Sequence, residues 1–303
     1  MKVFVAGASG TIGIPLVKAL VAAGHQVTAL TRSPEKQDKL RRLGATPAIA
    51  DALDPEALRS AVLAAGPTHV IHQLTALPKE GPSRASDLIA TNRLRIDGTR
   101  NLLEASIRAG ARRFIGGSFA LLPGADARPA PQRINEAADA TRSMESQILE
   151  ASRSNKIEGI VVRYGLFYGP TNPSTTKMIE MIRKHRFPTI RGDQGQLPFI
   201  HLDDAVSATV AALNHGTPGA TYDVVDDQAI SISDAVRLIA EHIGAPPPRS
   251  MPAWVLRLLM PYRARMLSTR LPLSNAKART ELRWRPMFPT LREGLAQSFS
   301  KAA

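Results

Sequence analysis

Gly7, Gly10 and Gly13, spaced three apart with Ser9, Thr11 and Ile12 between them, form the segment best suited to chemistry. An apolar run, Lys2–Ala6, leads into the segment. Ile12, Leu16, Val17, Leu20 and Val21 follow at helical spacing. That order predicts a buried strand, a tight glycine turn and a helix. Such a turn lets the backbone approach a pyrophosphate, and the N–H groups and positive end of the helix dipole attract it. The expectation is a dinucleotide site.

The next strand, Gln26–Leu30, runs into Thr31-Arg32-Ser33. An acidic side chain at that place would bind a ribose 2′-hydroxyl. None is present. Arg32 is suited to a bidentate contact with a 2′-phosphate, Ser33 adds a donor, and Lys36 follows. NADP(H) is therefore the expected cofactor, with NAD(H) left open because Arg32 could instead be a surface arginine against adenine.

Strands and helices alternate through the first half. Thr46–Ala50, His69–Gln73, Arg113–Gly116 and Gly159–Arg163 read as strands. Glu35–Leu43, Pro55–Ala64, Asp87–Ala109 and Glu136–Ser154 read as helices. This predicts an α/β fold with a doubly wound parallel sheet. Further elements follow at Thr175–Lys184, Phe199–His201, Asp203–Leu213, Tyr222–Val225 and Ser233–Ile243, with a stiff Pro246-Pro247-Pro248 linker. The expected division is a Rossmann domain over 1–168 plus about 195–225. A smaller substrate lobe would comprise 169–194 and 226–303.

Several motifs together resemble the extended short-chain dehydrogenase/reductase family, also called the NAD-dependent epimerase/dehydratase family. They are the Gly-x-x-Gly-x-x-Gly loop, Asp51-Ala52, Val70-Ile71-His72, Asn92 with Gly98-Thr99, and Arg163-Tyr164. Tyr168-Gly169-Pro170, Phe199 to Asp204, Leu282 to Pro286 and Arg292-Glu293-Gly294 complete the set. The likeness spans nearly the whole chain. It implies that Asp51 and Ala52 contact adenine. It also implies that Gln73, Leu74, Asn92, Gly117, Arg142 and Tyr164 line the rest of the cofactor site, and that the chain dimerises through Asp87–Ala109 and Glu136–Ser154.

The family's Tyr-x-x-x-Lys pair is missing: no lysine follows Tyr164, Tyr168, Tyr222 or Tyr262 at that spacing. Counting back from Gln147-Ile148-Leu149 puts Ala138 at the tyrosine position and Arg142 at the lysine position. Ala138 moves no proton, and Arg142 stays charged, so it can hold a ribose but not act as an acid. One alignment places the family's serine at Phe119, next to Ser118. Ser118, Arg142 and Tyr164 are thus the catalytic candidates. The resemblance is to an atypical branch, with three readings. The first is a reductase of a non-sugar carbonyl or activated C=C compound, whose substrate is aromatic, lipid-like or acidic. The second is a silent NADP(H)-binding sensor or scaffold. The third is a sugar-nucleotide epimerase or dehydratase, which the missing tyrosine disfavours.

The net charge is +13 and there is no cysteine. The charge reads as a solvated arginine-rich surface, since 5% aromatic content and the lack of a recognition motif give no sign of nucleic-acid binding. No thiol metal site is possible, and the His, Asp and Glu residues lack ligand spacing, so no metal is expected. His72, ending an apolar strand, reads as a packed core residue. His201 reads as a packing or capping residue. Met251–Arg270, carrying Trp254, Leu256 and Leu258, would cover an apolar substrate, touch a membrane surface or pack internally. No signal peptide or membrane span is read, so a cytoplasmic chain without stable membrane insertion is expected.

Overall fold

The computed structural model describes residues 1–78, 81–82, 84–120, 132–259 and 273–300. Residues 121–131 and the part of the Met251–Arg270 segment after Leu259 lie outside them.

A seven-stranded parallel sheet organises the chain: β1 (Lys2–Ala6), β2 (Gln26–Thr31), β3 (Thr46–Ile49), β4 (His69–His72), β5 (Arg113–Phe119), β6 (Glu158–Tyr164) and β10 (Thr221–Val224). Their order across the sheet is β10-β6-β5-β4-β1-β2-β3. The direction of winding reverses between β1 and β4. A crevice opens at the carboxyl ends of the strands at such a reversal, and ligands of open α/β sheets bind there.

Both faces are covered, which is why the strands are apolar rather than alternating. On one face lie α1 (Gly13–Ala22), α2 (Gln37–Arg42) and α8 (Leu202–His215). Leu16, Leu20, Leu40, Ala205 and Ala208 pack there against Val5, Ile115 and Val162. On the other lie α3 (Pro55–Ala65), α5 (Thr99–Arg108) and α6 (Gln132–Arg153), with Leu58, Leu102, Met144 and Ile148 against Phe4, Val70 and Phe114. Each such leucine, fully buried, contributes about 1.5–3 kcal/mol relative to exposure.

The predicted helix Asp87–Ala109 is not uniform. It comprises a tight turn, then α4 (Ile89–Arg93), a π turn over Leu94–Gly98, and α5. A π turn leaves backbone carbonyls off the regular ladder. Gln147 Nε2 of α6 donates to one of them, Ile96 O, at 3.1 Å. Strand β5 also runs past Gly116, its expected end, to Phe119.

A third apolar cluster stands off the sheet. It joins Tyr168, Ile182, Leu197, Phe199, Val236, Ile239, Leu291 and Leu295. These come from β7 (Leu166–Tyr168), α7 (Pro173–Arg183), β9 (Phe199–His201), α9 (Ile232–His242) and α12 (Leu291–Ser300). Short strands β8 (Thr189–Arg191) and β11 (Ser250–Pro252), with helices α10 (Ala253–Leu259) and α11 (Ala276–Glu281), complete the described elements. In α10, Leu256 is buried while Trp254 and Leu258 are exposed. Among the described residues no helix is long and apolar enough to cross a membrane.

Candidate functional site

The glycine loop sits at the reversal point, between β1 and α1. Gly7 adopts φ +86°, and a Cβ there would lie 2.4 Å from the carbonyl oxygen of Gln73. A Cβ on Gly13 would lie 2.1 Å from Gly7 O. Loop, helix and β4 therefore pack backbone to backbone, and no side chain fits between them. Gly10 N–H donates to Gly7 O at 3.0 Å, closing the turn. Ser9 is half-buried, Gly10 and Thr11 are exposed, and Ile12 is buried. The N-terminus of α1 has no side-chain cap and no acidic residue in its first turn. Its positive dipole end is left for an anion from outside the chain.

At the end of β2, Thr31 is buried and its Oγ1 accepts from Ser33 N–H at 3.1 Å. Arg32 is exposed, and no acceptor among the described residues binds its guanidinium. An uncapped helix start and an unpaired guanidinium, with no carboxylate between, form a donor set suited to a dinucleotide with a phosphorylated ribose. Asp51 Oδ1 accepts from Leu53 N–H at 2.9 Å, and Ala52 is buried with its carbonyl held by Asn101 Nδ2 at 2.9 Å.

Beyond β4 the side chains are tied into two networks. Gln73 Nε2 donates to Tyr164 Oη at 2.8 Å, and Tyr164 Oη lies 2.7 Å from Thr209 Oγ1 of α8. Tyr164 is buried, which pushes its hydroxyl up to about 12. It has no proton to release near neutral pH. Gly117, half-buried, faces the Gln73 side chain. On the opposite face of β5, Ser118 Oγ donates to Glu145 Oε1 at 2.6 Å. Arg163 grips the same carboxylate through Nε at 2.8 Å and Nη2 at 2.6 Å. Phe119, the alternative serine position, turns away from this network.

The counted helix positions separate. Ala138 is buried. Arg142 is exposed and paired with Asp139 at 2.6 Å. Thr141, on the same stripe as Glu145 one turn earlier, is the buried polar residue there, and its hydroxyl donates to Ala137 O at 2.9 Å. Neither Thr141 nor Glu145 stands out in the sequence. Only the helical spacing of four between them, on a helix with few buried polar positions, could have paired them.

Leu74 N–H donates to His72 Nδ1 at 3.1 Å, so the proton of His72 is on Nε2, 2.8 Å from Thr99 Oγ1. Complete burial, with Arg95 adding repulsion, lowers His72 to about 4. Asn92 is half-buried, and its Oδ1 is buried without a hydrogen-bond partner among the described residues. His201 Nδ1 accepts from Asp203 N–H at 3.2 Å and caps α8.

The model of the NAD dependent epimerase/dehydratase family matches residues 3–225. A Streptomyces protein named 3-diazoavenalumate denitrifying reductase is 38% identical over 310 residues, covering 98% of this chain and 100% of that one. From Stigmatella aurantiaca, 4-hydroxy-2-methyl-3-oxo-4-farnesyl-3,4-dihydroquinoline-1-oxide ketoreductase is 26% identical over 253 residues, covering 80% of this chain and 74% of that one. The crystal structure of Thermus thermophilus UDP-glucose 4-epimerase in complex with NAD superposes with a TM-score of 0.78 at 22% identity. It covers 99% of this chain and 98% of that one, and shares the fold.

Proposed function

This chain belongs to the NAD dependent epimerase/dehydratase family and is a reductase-type oxidoreductase within it, and from that premise we propose that it is an NADP(H)-dependent reductase of a non-sugar small molecule. The observation that carries the cofactor choice is Arg32, an exposed and unpaired cation at the end of β2 with no acidic residue beside it. The uncapped start of α1 would hold the pyrophosphate over Gly7 to Gly13. Arg32 and Ser33 would take the 2′-phosphate, and Asp51 and Ala52 would border the adenine. When bound, the nicotinamide supplies a hydride.

Gln73, Leu74, Asn92, Gly117 and Tyr164 border the other half of the crevice. Among the described residues, none of the candidates brings a free acid to it. Ala138 is apolar, Arg142 keeps its charge, Tyr164 holds its proton against Thr209, and Ser118 gives its own to Glu145. Such a site suits a carbonyl or activated C=C compound whose product takes its proton from water. The full-length relative named for 3-diazoavenalumate favours a second substrate class, an aromatic diazo compound. A nitrogen leaving group of that kind departs as dinitrogen, and the protein need not protonate it. We place the substrate against the described residues of the smaller lobe, 169–194, 226–259 and 273–300.

Titration of the purified chain with NADPH and NADH, followed by cofactor fluorescence, tests the site. NADPH binding more tightly, with the preference lost in Arg32→Ala, supports the reading. Failure of both to bind overturns it. Consumption of NADPH with diazo-arene, ketone and enone panels then separates the substrate classes, and an inert cofactor across all three panels overturns the reductase reading for these substrates.

A further inference from the structure

The direction of every proton in the Gln73 network is fixed from its far end. Thr209 Oγ1 lies 2.6 Å from Ala205 O, a carbonyl that can only accept. The single hydroxyl proton of Thr209 is spent there, so Thr209 accepts from Tyr164. Tyr164 in turn has spent its only proton and accepts from Gln73. The amide of Gln73 must therefore present Nε2 to Tyr164, and Oε1 faces the other way.

Oε1 is aimed over β5. In the β4–β5 register His72 pairs with Gly116, and Gln73 continues alongside Gly117. A Cβ on Gly117 would stand 2.1 Å from Oε1, so glycine there leaves the space the carboxamide occupies. On the other side, the Gln73 backbone packs against Gly7. Gln73 is 9% exposed, and no donor among the described residues reaches Oε1. A rigid acceptor thus stands at the rim of the crevice beside the glycine loop. It lies on the β4–β5 side, opposite the β2 end that carries Arg32. A dinucleotide whose adenine half lies toward β2 places its other half here.

We propose that Gln73 Oε1 accepts a hydrogen bond from the carboxamide N–H of the nicotinamide, in an orientation that Ala205, Thr209 and Tyr164 impose; this rests on the nicotinamide-cofactor reading above. Gln73 is then a positioning residue for the reacting ring, and Tyr164 acts through it.

Binding distinguishes this from a packing role without any turnover. Three ligands are titrated calorimetrically: NADPH, its 3-acetylpyridine analogue, in which a methyl ketone replaces the amide and removes the N–H donor, and 2′,5′-ADP, which lacks the nicotinamide. The wild type should bind NADPH roughly fivefold to tenfold more tightly than the analogue, the value of one neutral hydrogen bond. Gln73→Met should bring the two within about twofold while 2′,5′-ADP affinity holds. Tyr164→Phe and Thr209→Val, which release the amide to rotate, should narrow the gap in the same direction. An absent preference in the wild type overturns the inference, as does a preference that survives Gln73→Met. If Gln73→Met also loses 2′,5′-ADP, its fold is damaged, and Tyr164→Phe decides by the same criterion. Failure of wild type to bind either nicotinamide nucleotide is a different result, which removes the cofactor reading itself.

Discussion

Ser118 Oγ and Glu145 Oε1 lie 2.6 Å apart, with the serine proton committed to a carboxylate that Arg163 also holds through two bonds. The carboxylate is buried, and its guanidinium partner is half-buried. Removing one member of such a pair strands the other in a low-dielectric place. Glu145→Ala should therefore cost about 2–4 kcal/mol of unfolding free energy, and Ser118→Ala about 1–2 kcal/mol. Because Ser118 has no proton left to donate, Ser118→Ala should lower kcat/KM less than about tenfold. Urea denaturation and steady-state kinetics on the two variants check this. A stable Ser118→Ala enzyme with a thousandfold loss of kcat would mean that the hydroxyl leaves Glu145 during turnover.

Arg32 offers a sharper contrast. A guanidinium–phosphate contact at a partly exposed position is worth about 1.5–3 kcal/mol, roughly a tenfold to hundredfold change in affinity. Arg32→Ala should weaken NADPH by that factor and leave NADH within about twofold. The NADPH advantage of the wild type should also shrink with added salt. Equal weakening of both nucleotides would point to a contact with adenine instead.

Which parts of the site were legible follows from how local their causes are. The glycine loop and Arg32 depend on backbone turns and strand ends close in sequence, and Lys2–Ala6 appears as read. Tyr164 was readable as a site neighbour, but the fate of its hydroxyl depends on Thr209 and Ala205 in α8, some forty residues on. Arg142 was placed by counting along a helix, and a shift of one residue exchanges an exposed side chain for buried Thr141. Strand β5 runs three residues past its expected end at Gly116, and Gly116 and Gly117 are where Ile148 and Gln73 approach too closely for any side chain, contacts that come from distant parts of the sequence. Strands β7, β8 and β11 are three residues each, too short for alternation to register.

His72 sets part of the acid limit. Its folded value is depressed to about 4, below the 6.5 of an unfolded histidine. The unfolded chain therefore binds the extra proton first, and stability present above pH 6.5 is lost as pH falls toward 4. The full span corresponds to about 3 kcal/mol. Half-buried His69, also lowered to about 4, titrates in the same window. His72→Gln, whose amide can still donate to Thr99, should flatten the acid limb of the stability curve without removing it. Identical limbs in variant and wild type would show that His72 is protonated in the fold.

Asp226 works on the opposite side of neutrality. It is 5% exposed just beyond β10, and both carboxyl oxygens are buried without a hydrogen-bond partner among the described residues. Burial raises it to about 8, with Asp204 and Asp227 adding repulsion and Tyr168 close by. Those neighbours belong to the contact that docks the chain after Trp284 onto the sheet: Asp204 accepts from Met287 N–H at 2.6 Å and Phe288 N–H at 2.9 Å, and Tyr168 Oη donates to Thr290 O at 3.2 Å. A carboxyl whose folded value is raised binds its proton more tightly in the native state. Its contribution is complete below the unfolded value near pH 4 and is lost as pH rises through about 8. Asp226→Asn keeps the shape and removes the titration. Relative to wild type, the variant should gain about 2–4 kcal/mol between pH 5 and pH 8. Hydrogen-exchange protection of residues 286–296, measured relative to intrinsic rates, should fall in the wild type at pH 8 and not in the variant. Parallel stability curves for the two proteins from pH 5 to pH 8 would mean that Asp226 is already ionised in the fold, held by an ion or water that compensates its charge.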